Sequence, residues 1–420
     1  MKVVGIIAEY NPFHNGHAYQ IRKAKELSSA DLCIVAMSGS YVQRGVPAVT
    51  DKYSRASMAL CNGADIVFEI PAIWATASAE YFAYAGITLL DALGCVDTVC
   101  FGCETVDLPL LHTVAEILVN EPDAFCTSLS HYLKKGYAFP KAREAALLSY
   151  IKASGMSMKD SPDLLLSSPN NILALEYQKA LLRRHSDITP LPIQRTDGGY
   201  HSTELTKDFS SASAIRHALL QTVPLSLDDR QALLSAVPKA SADHLFAEDT
   251  TLLSEQDFSS MLYYKLLSES ETGYTRYADV STDFSNKITN ALRYFTDFHG
   301  FCDLLKSKDI THTRISRQLL HILLNIRETD YEIGKKCDYI PYLRLLGFRK
   351  SASPLLSVIR KKSSLPILTS PAKDTKKLSP DALVIFQKDV FSSNLYYGMT
   401  AQKSGCPQKN EYQRQILTFL

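Results

Sequence analysis

The stretch VVGIIAEYNPFHNGHAYQI, residues 3–21, decides the fold. Its opening run, Val3 to Ile7, is apolar and rich in β-branched residues, and it reads as a short buried strand continuing to Glu9. Helical spacing then runs from about Gly16 to Leu27. His14-Asn15-Gly16-His17 therefore opens a helix directly after a strand. A helix N-terminus presents unpaired N–H groups and a partial positive charge, which favour an anion. Gly16 lets backbone approach a ligand without a Cβ in the way. Histidines three apart lie on adjacent turns of one face. As neutral rings they donate hydrogen bonds to phosphate oxygens and stabilise charge on a transferring phosphoryl group. A zinc pair and two structural turn histidines are the alternatives. The zinc reading lacks the four-residue spacing with an intervening Glu seen in HExxH. The strand–helix junction favours phosphate.

Working outward, strands and helices alternate. LCIVAM (32–37) ends at Ser38-Gly39-Ser40, and a helix over about 52–62 leads to DIVFEI (65–70), closed by Pro71. A helix over about 77–93 leads to VDTVCFG (96–102). This spacing predicts an α/β fold with a mostly parallel sheet and helices on both faces, with ligands at the carboxyl ends of the strands. Glu9–His17, Ser38–Gly45, Glu69–Pro71 and Phe101–Glu104 would then converge on one mouth. Beyond Glu104 the pattern turns helical to about 182, with a loop near 167–170, and ITPLPIQR (188–195) reads as a returning strand. SSASAIRHALL (210–220) reads as a Ser-capped helix start. Residues 221–335 carry long helical patterns such as ISRQLLHILLNI (315–326). From 336 a smaller basic region follows, in which LLSVIRKKSSLPILTS reads as helix, turn and strand. The stretch 370–410 is polar and weakly patterned. Three parts follow: 1–220, a nucleotide-binding domain; 221–335, helical; 336–420, basic.

With 420 residues, 46% hydrophobic and 21% charged, the composition is that of a soluble globular chain of two or three domains. No apolar run approaches the roughly 18 residues of a membrane span. The start is too short in apolar residues for a secretory leader, so a cytoplasmic location is expected. Nine scattered cysteines argue against a disulfide framework, and Cys100-Phe-Gly-Cys103 lacks the second pair that a zinc site needs. The net charge of +1 hides an asymmetry. Residues 301–420 hold 20 Lys+Arg against 10 Asp+Glu, whereas residues 1–300 hold 25 against 34. Such asymmetry points to a nucleic-acid partner, a solvated basic region being the plain alternative.

HxGH at the first strand–helix junction resembles the HIGH-motif nucleotidyltransferase superfamily, and SSASAIR (210–216) looks like its second, phosphate-gripping motif. The likeness sharpens further on. GIIAEYNPFHNGHAYQI, MSGSYVQRGVPAVTDKYSRASMALCNGADIVFEIP, the run Ser78–Ala83 and FGCE resemble the tRNA(Met) cytidine acetate ligase family. So do PNNILALEYQKAL (169–181), PLPIQR with GYHS (190–202), YIPYLRLLGF (339–348) and IRKKSSLPILT (359–369). The resemblance is strong over 1–220, looser beyond, and fades over the last 40 residues. Cys103 departs from it, standing where the family form has Ser.

The resemblance implies a Rossmann-like adenylation domain. It implies an enzyme that converts ATP and acetate to acetyl-adenylate and pyrophosphate, then acetylates the N4 amine of the wobble cytidine in elongator tRNA(Met). ATP would be held by Ile7, Ala8, Glu9, Tyr10, Asn11, Pro12, Phe13, His14, Asn15, Gly16, His17, Ala18, Tyr19 and Gln20, with Gly102, Asn170, Arg195, Ser211, Ser213 and Arg216. His14 and His17 would serve the phosphates and the transition state. Ser38, Gly39, Gln43 and Arg44 would form a substrate or tRNA-end loop. Mg²⁺ is expected from the chemistry, with no acidic cluster to name its ligands. Arg349, Lys350, Arg360, Lys361 and Lys362, with Lys376 and Lys377, would meet tRNA phosphates. Two rivals stand beside this: a small-molecule nucleotidyltransferase, which needs no basic region, and a non-catalytic RNA-binding protein, which needs no phosphate grip.

Overall fold

The computed structural model of the chain describes residues 1–155, 166, 168–195, 210–221, 226–308 and 310–420. The GYHS segment (199–202) and Ser167 lie outside them. Ten strands are present among the described residues: β1 Val3–Ala8, β2 Leu32–Ser38, β3 Tyr41–Val42, β4 Val46–Pro47, β5 Ile66–Ile70, β6 Thr98–Cys103, β7 Thr189–Gln194, β8 Leu343–Arg349, β9 Ile367–Leu368 and β10 Leu417–Phe419. The main sheet runs β10-β8-β5-β2-β1-β6-β7, with β9 beside β8, while β3 and β4 form a separate hairpin. β1 pairs in parallel with both β2 and β6. β8 alone is antiparallel to its neighbour β5.

The order of the first five main-sheet strands places the crossover between β1 and β6. The chain steps from β1 to β2 to β5 on one side, then returns to β6 and β7 on the other. A crevice opens at the carboxyl ends of the strands where the order reverses. β1 has every residue from Val3 to Ile7 buried, as a strand covered on both faces must. Two glycines set how closely one covering helix, Ala79–Ala92, can lie. A Cβ on Gly5 would come within 2.7 Å of Leu90, and one on Gly86 within 2.7 Å of Ile7. At the sheet edge, β7 tolerates Pro190 and Pro192 because a border strand needs fewer backbone donors.

Two features lie beyond the sequence reading. The basic stretch from 336 supplies β8, β9 and β10, which extend the first sheet. The stretch 370–410 is largely a 25-residue helix, Pro380–Ser404, capped by Ser379 and ended by Gly405 in the left-handed region at φ 72°. Its buried face carries Asp389, Ser392, Ser393, Tyr396 and Tyr397 beside Ile385 and Phe386. That polarity erases the apolar contrast on which helical periodicity rests. The helical character of 221–335 is as expected, with only isolated bridges at Tyr277–Arg327 and Ser307–Ile310 among the described residues. No described helix is long and apolar enough to cross a membrane.

A buried ionic knot ties the C-terminal elements to the sheet. Lys52 Nζ donates to both oxygens of Glu69 at 2.8 Å, to Glu411 at 2.9 Å and to Ser393 at 3.0 Å. Arg344 joins Glu411 at 3.2 Å and the Tyr53 hydroxyl at 2.9 Å. Lys52, Glu69, Arg344 and Glu411 are all almost fully buried. Removing one partner strands the others, and breaking a buried pair costs about 3–5 kcal/mol. Lys52→Met should therefore lower unfolding free energy by about that amount in urea titrations. A loss under 1 kcal/mol would show that the knot is not a support of the fold.

Candidate active site

A cleft of about 210 Å³ opens at the carboxyl ends of β1 and β6, beside the crossover. Its lining includes Ile7, Ala8, Glu9, Tyr10, Asn11, His14, His17, Gln20, Gly102, Asn170, Arg195, Ser211, Ser213 and Arg216, together with Gln43 and Arg44. A smaller lobe shares His14, His17, Gln20, Gly102 and Arg195 and adds Gly16 and Tyr19. Three residues of the opening loop build the wall from behind. Tyr10 takes φ 48° and the Asn11–Pro12 peptide is cis, which turns the chain from strand into helix. The buried Phe13 ring then lies 4.8 Å from Tyr10, which in turn lies 4.8 Å from His17. Pro12, Phe13 and Ala18 support the cleft and do not line it. Asn15 turns away to donate to the Ser235 carbonyl at 2.7 Å.

The helix Asn15–Ser28 starts on a reciprocal cap made by the two histidines. His14 Nδ1 accepts from Gly16 N at 3.1 Å, and His17 Nδ1 accepts from His14 N at 3.3 Å. The rings stack with centroids 3.7 Å apart. A neutral imidazole that accepts on Nδ1 carries its proton on Nε2, so the cap fixes both tautomers and leaves two Nε2–H donors. Burial, then Arg195 and Arg216, pull the His14 pKa down to about 3. Burial, then His14 and Arg195, push His17 in the same direction. Both rings are therefore uncharged donors at neutral pH. The charge in the cleft comes from Arg44, Arg195 and Arg216 against a single lining carboxylate, Glu9, a balance suited to a polyanion.

The second element is placed by the helix Ala212–Leu219, whose cap Ser211 accepts from Ala214 N at 3.1 Å. Arg216 donates to the Asn11 carbonyl at 2.5 Å and to Ser213 Oγ at 3.3 Å, which joins the two motifs. The Arg195 stem crosses Gly102, where a Cβ would meet its Cγ at 3.2 Å. Asn170 bonds Glu104 at 2.7 Å and lies 3.4 Å from Arg195. Asn170 is not the cap of its helix; that position is Ser168. Asn171 instead fixes the β6 exit, accepting from Glu104 N and Thr105 N.

Three of the four expected loops line the mouth. Glu69 does not, since it sits under Gly39 and pairs with Lys52. Ser38 and Gly39 lie behind the lining, with Gln43 and Arg44 reaching it. Phe101, from one of the expected mouth loops, forms an apolar wall with Phe82, Leu173 and Tyr177, which the sequence reading did not single out, any more than the buried Arg55. All lie in runs quoted for the resemblance; an apolar side chain there reads as core. Cys100 and Cys103 are buried strand residues, with both thiols pushed up to about 12 mainly by burial, so neither is a reactive thiolate. The basic residues are elsewhere. Arg349 N bonds the Asp65 carbonyl at the amino-terminal end of β5, and its side chain bonds the Leu60 carbonyl. Lys362 lies against Gly94, just before β6 begins. Lys350, Arg360 and Lys361 are exposed on the same elements. This edge is a strand length, about 20 Å, from the cleft. Lys377 pairs with Asp374.

Paired histidines and a capped Ser-rich helix at the crossover of a parallel sheet define a nucleotide-binding α/β protein of the nucleotidyltransferase type. A family model, HIGH Nucleotidyl Transferase, matches residues 1–412. The tRNA(Met) cytidine acetate ligase of Thermoanaerobacter sp. is 40% identical over 396 residues, covering 94% of this chain and 95% of that protein. The protein of the same name from Acetivibrio thermocellus is 36% identical over 399 residues, with 94% of each covered. Crystal structures of Thermotoga maritima TmcAL, apo and bound with alpha-thio ATP, are 30% identical and superpose with TM-scores of 0.91 and 0.89 over the whole of both chains. The chain belongs to the tRNA(Met) cytidine acetate ligase family.

The depressed His14 pKa ties this site to stability. The unfolded ring takes up a proton near pH 6.5 and the folded one only near 3, so the stabilising contribution is full above 6.5 and is lost as pH falls below it. Between pH 7 and 5 this residue should cost about 2 kcal/mol. Urea unfolding of His14→Gln should lose about that much less than the native chain over the same interval. An equal loss in both would contradict a buried neutral imidazole.

Proposed function

We propose that this chain is an ATP-dependent ligase that activates acetate as acetyl-adenylate and acetylates the N4 amine of the wobble cytidine of elongator tRNA(Met). The observation that carries the reading is the stacked His14–His17 pair. It presents two neutral Nε2–H donors beside Arg195 and Arg216, at the crossover where a nucleotide binds. Acetate is a poor acyl donor. Its carboxylate oxygen attacks the α-phosphorus, and the bond to pyrophosphate breaks. That step needs fixed donors on the phosphoryl oxygens and charge for the leaving group, with no protein nucleophile. His14 and His17 supply the donors. Arg195 and Arg216 supply the charge, and Ser211 and Ser213 take further phosphate oxygens. The wall of Phe82, Phe101, Leu173 and Tyr177 suits the flat face of adenine. The cytidine amine then attacks the acetyl carbonyl carbon, a proton is lost, and the bond to AMP breaks.

Glu9 is the single carboxylate on the lining, so Mg²⁺ fits here as an ion held by phosphates, water and at most that group. It would neutralise charge on the leaving pyrophosphate. The tRNA meets the protein in two places on this reading. The reacting base enters the cleft near Gln43 and Arg44. Lys350, Arg360, Lys361 and Lys362, on the far edge of the sheet, can touch only backbone remote from that base, as sequence-independent contacts. The reaction is placed in the cytoplasm, where tRNA is.

The test is acetate-dependent conversion of ATP to AMP, with and without unmodified elongator tRNA(Met), followed by nucleoside analysis. N4-acetylcytidine at the wobble position is expected. His17→Ala should lower kcat/KM for AMP formation by about 10²–10³-fold, the usual loss for one transition-state donor. ATP binding with neither acetate-dependent AMP nor modified tRNA would overturn the proposal in favour of a small-molecule acceptor.

A further inference from the structure

Far in sequence from the cleft residues, three side chains converge on the surface. His299 and Asp303 stand four apart on the helix Phe298–Leu305, so they share one face. His312 opens the next helix, His312–Leu323. His299 Nε2 lies 3.5 Å from Asp303 Oδ2, and His312 Nε2 lies 3.6 Å from Asp303 Oδ1. The three ligand atoms fall within 4.8 Å of one another, the sole such group among the described residues. Two ligand atoms on one zinc ion at ordinary bond lengths and tetrahedral angles lie about 3.4 Å apart. The two His–Asp303 separations, one to each carboxylate oxygen, are close to that edge, and small rotations of the side chains would bring one atom from each onto a single ion.

We infer that His299, Asp303 and His312 form a binding site for a divalent transition-metal ion, zinc by preference. Two further observations support a site over a chance gathering. His312 Nε2 is shielded from solvent and makes no hydrogen bond among the described residues, so a ligand atom aimed at the group is held only by the Asp303 contact. On the other side of His299, Nδ1 faces the Glu255 carboxylate at 4.0 Å. A carboxylate behind a ligating imidazole is the arrangement that fixes its tautomer and raises its basicity. Two imidazoles and one carboxylate select zinc, cobalt or nickel over magnesium or calcium, and water would complete the coordination. The site joins two successive helices across their connecting loop. One turn on from His312, Ser316 donates to the Gly45 carbonyl at 2.9 Å, in the loop that carries Arg44 to the cleft. A bound ion thus braces the helix on which that loop rests.

The test uses the full-length chain and zinc chloride, titrated against a chromophoric chelator, with unfolding midpoints read in parallel. The native chain should bind one zinc ion more than His299→Ala/His312→Ala. Zinc should raise the unfolding midpoint of the native chain and leave that of the double variant unmoved. Glu255→Gln should weaken binding about ten-fold. Both histidines are on the surface, and the double variant should keep its fold. Equal stoichiometry and affinity in the native chain and the double variant would overturn the inference and assign any zinc to exposed thiols such as Cys61 and Cys406.

Discussion

The guanidinium of Arg55 is the contact on which the cleft depends. It is fully buried and forms no ion pair with a carboxylate among the described residues. It donates instead to four backbone carbonyls: Glu9 at 2.6 Å, Ser38 and Thr50 at 3.2 Å, and Gly39. Those carbonyls belong to the loops that leave β1 and β2. Loops at strand ends leave backbone oxygens without ladder partners, and each buried one is costly unless satisfied. One rigid planar fork satisfies four together and fixes their spacing, which a lysine could not do. Two further bonds lock the same junction. Glu9 accepts from Gln43 N and Asn11 accepts from Val49 N, both at 2.8 Å. The histidines can hold a set geometry because the loop before them is held in this way.

Charge is divided by the same logic. A cleft for a triphosphate needs positive charge, but charge on every donor would repel itself when the ligand is absent. The histidines here are neutral, with their Nε2–H donors fixed in direction by the cap. Arginines carry the charge at the rim, where Arg216 also clips the second motif onto the Asn11 carbonyl. The ionic knot beneath does a different task. By joining Lys52 and Glu69 to Arg344, Ser393 and Glu411, it makes the last third of the chain part of the support for the loop after β2. Glu69 touches both systems, since it packs under Gly39 while pairing with Lys52.

How much of this was legible depended on the range of the interactions. β1 and the first helix are written in consecutive residues, and the sequence reading placed them within one or two positions. The two helix-opening motifs were readable for the same reason: His14, His17, Ser211 and Arg216 are local patterns with local caps. β8 was not recognised as part of the first sheet because its pairing with β5 spans some 280 residues, and no local pattern records it. Arg55 lies within a helix, where an arginine ordinarily faces water. Its role appears only once the carbonyls around it are in place. The polar face of the helix Pro380–Ser404 hides its burial for a related reason, as Asp389 is satisfied by Ala72 N and Tyr342, both distant in sequence.

The basic surplus is the instructive mismatch. The charge asymmetry suggested a nucleic-acid partner, with a solvated basic region as the plain alternative. The fold returns those residues to the opposite edge of the same sheet, with Arg349 already spent on the Leu60 carbonyl. A strand length separates that edge from the histidines. At the mouth of the cleft, Gln43 and Arg44 stand on a loop fixed from below by Arg55 and from the side by Ser316. A Cβ on Gly45 would strike the Arg317 backbone at 2.3 Å, and its φ is +79°, so that loop has little room to adapt. Rigidity at this point holds the Gln43 and Arg44 backbone in one place at the rim, so a ligand entering the cleft meets a preformed wall rather than one that moulds to it.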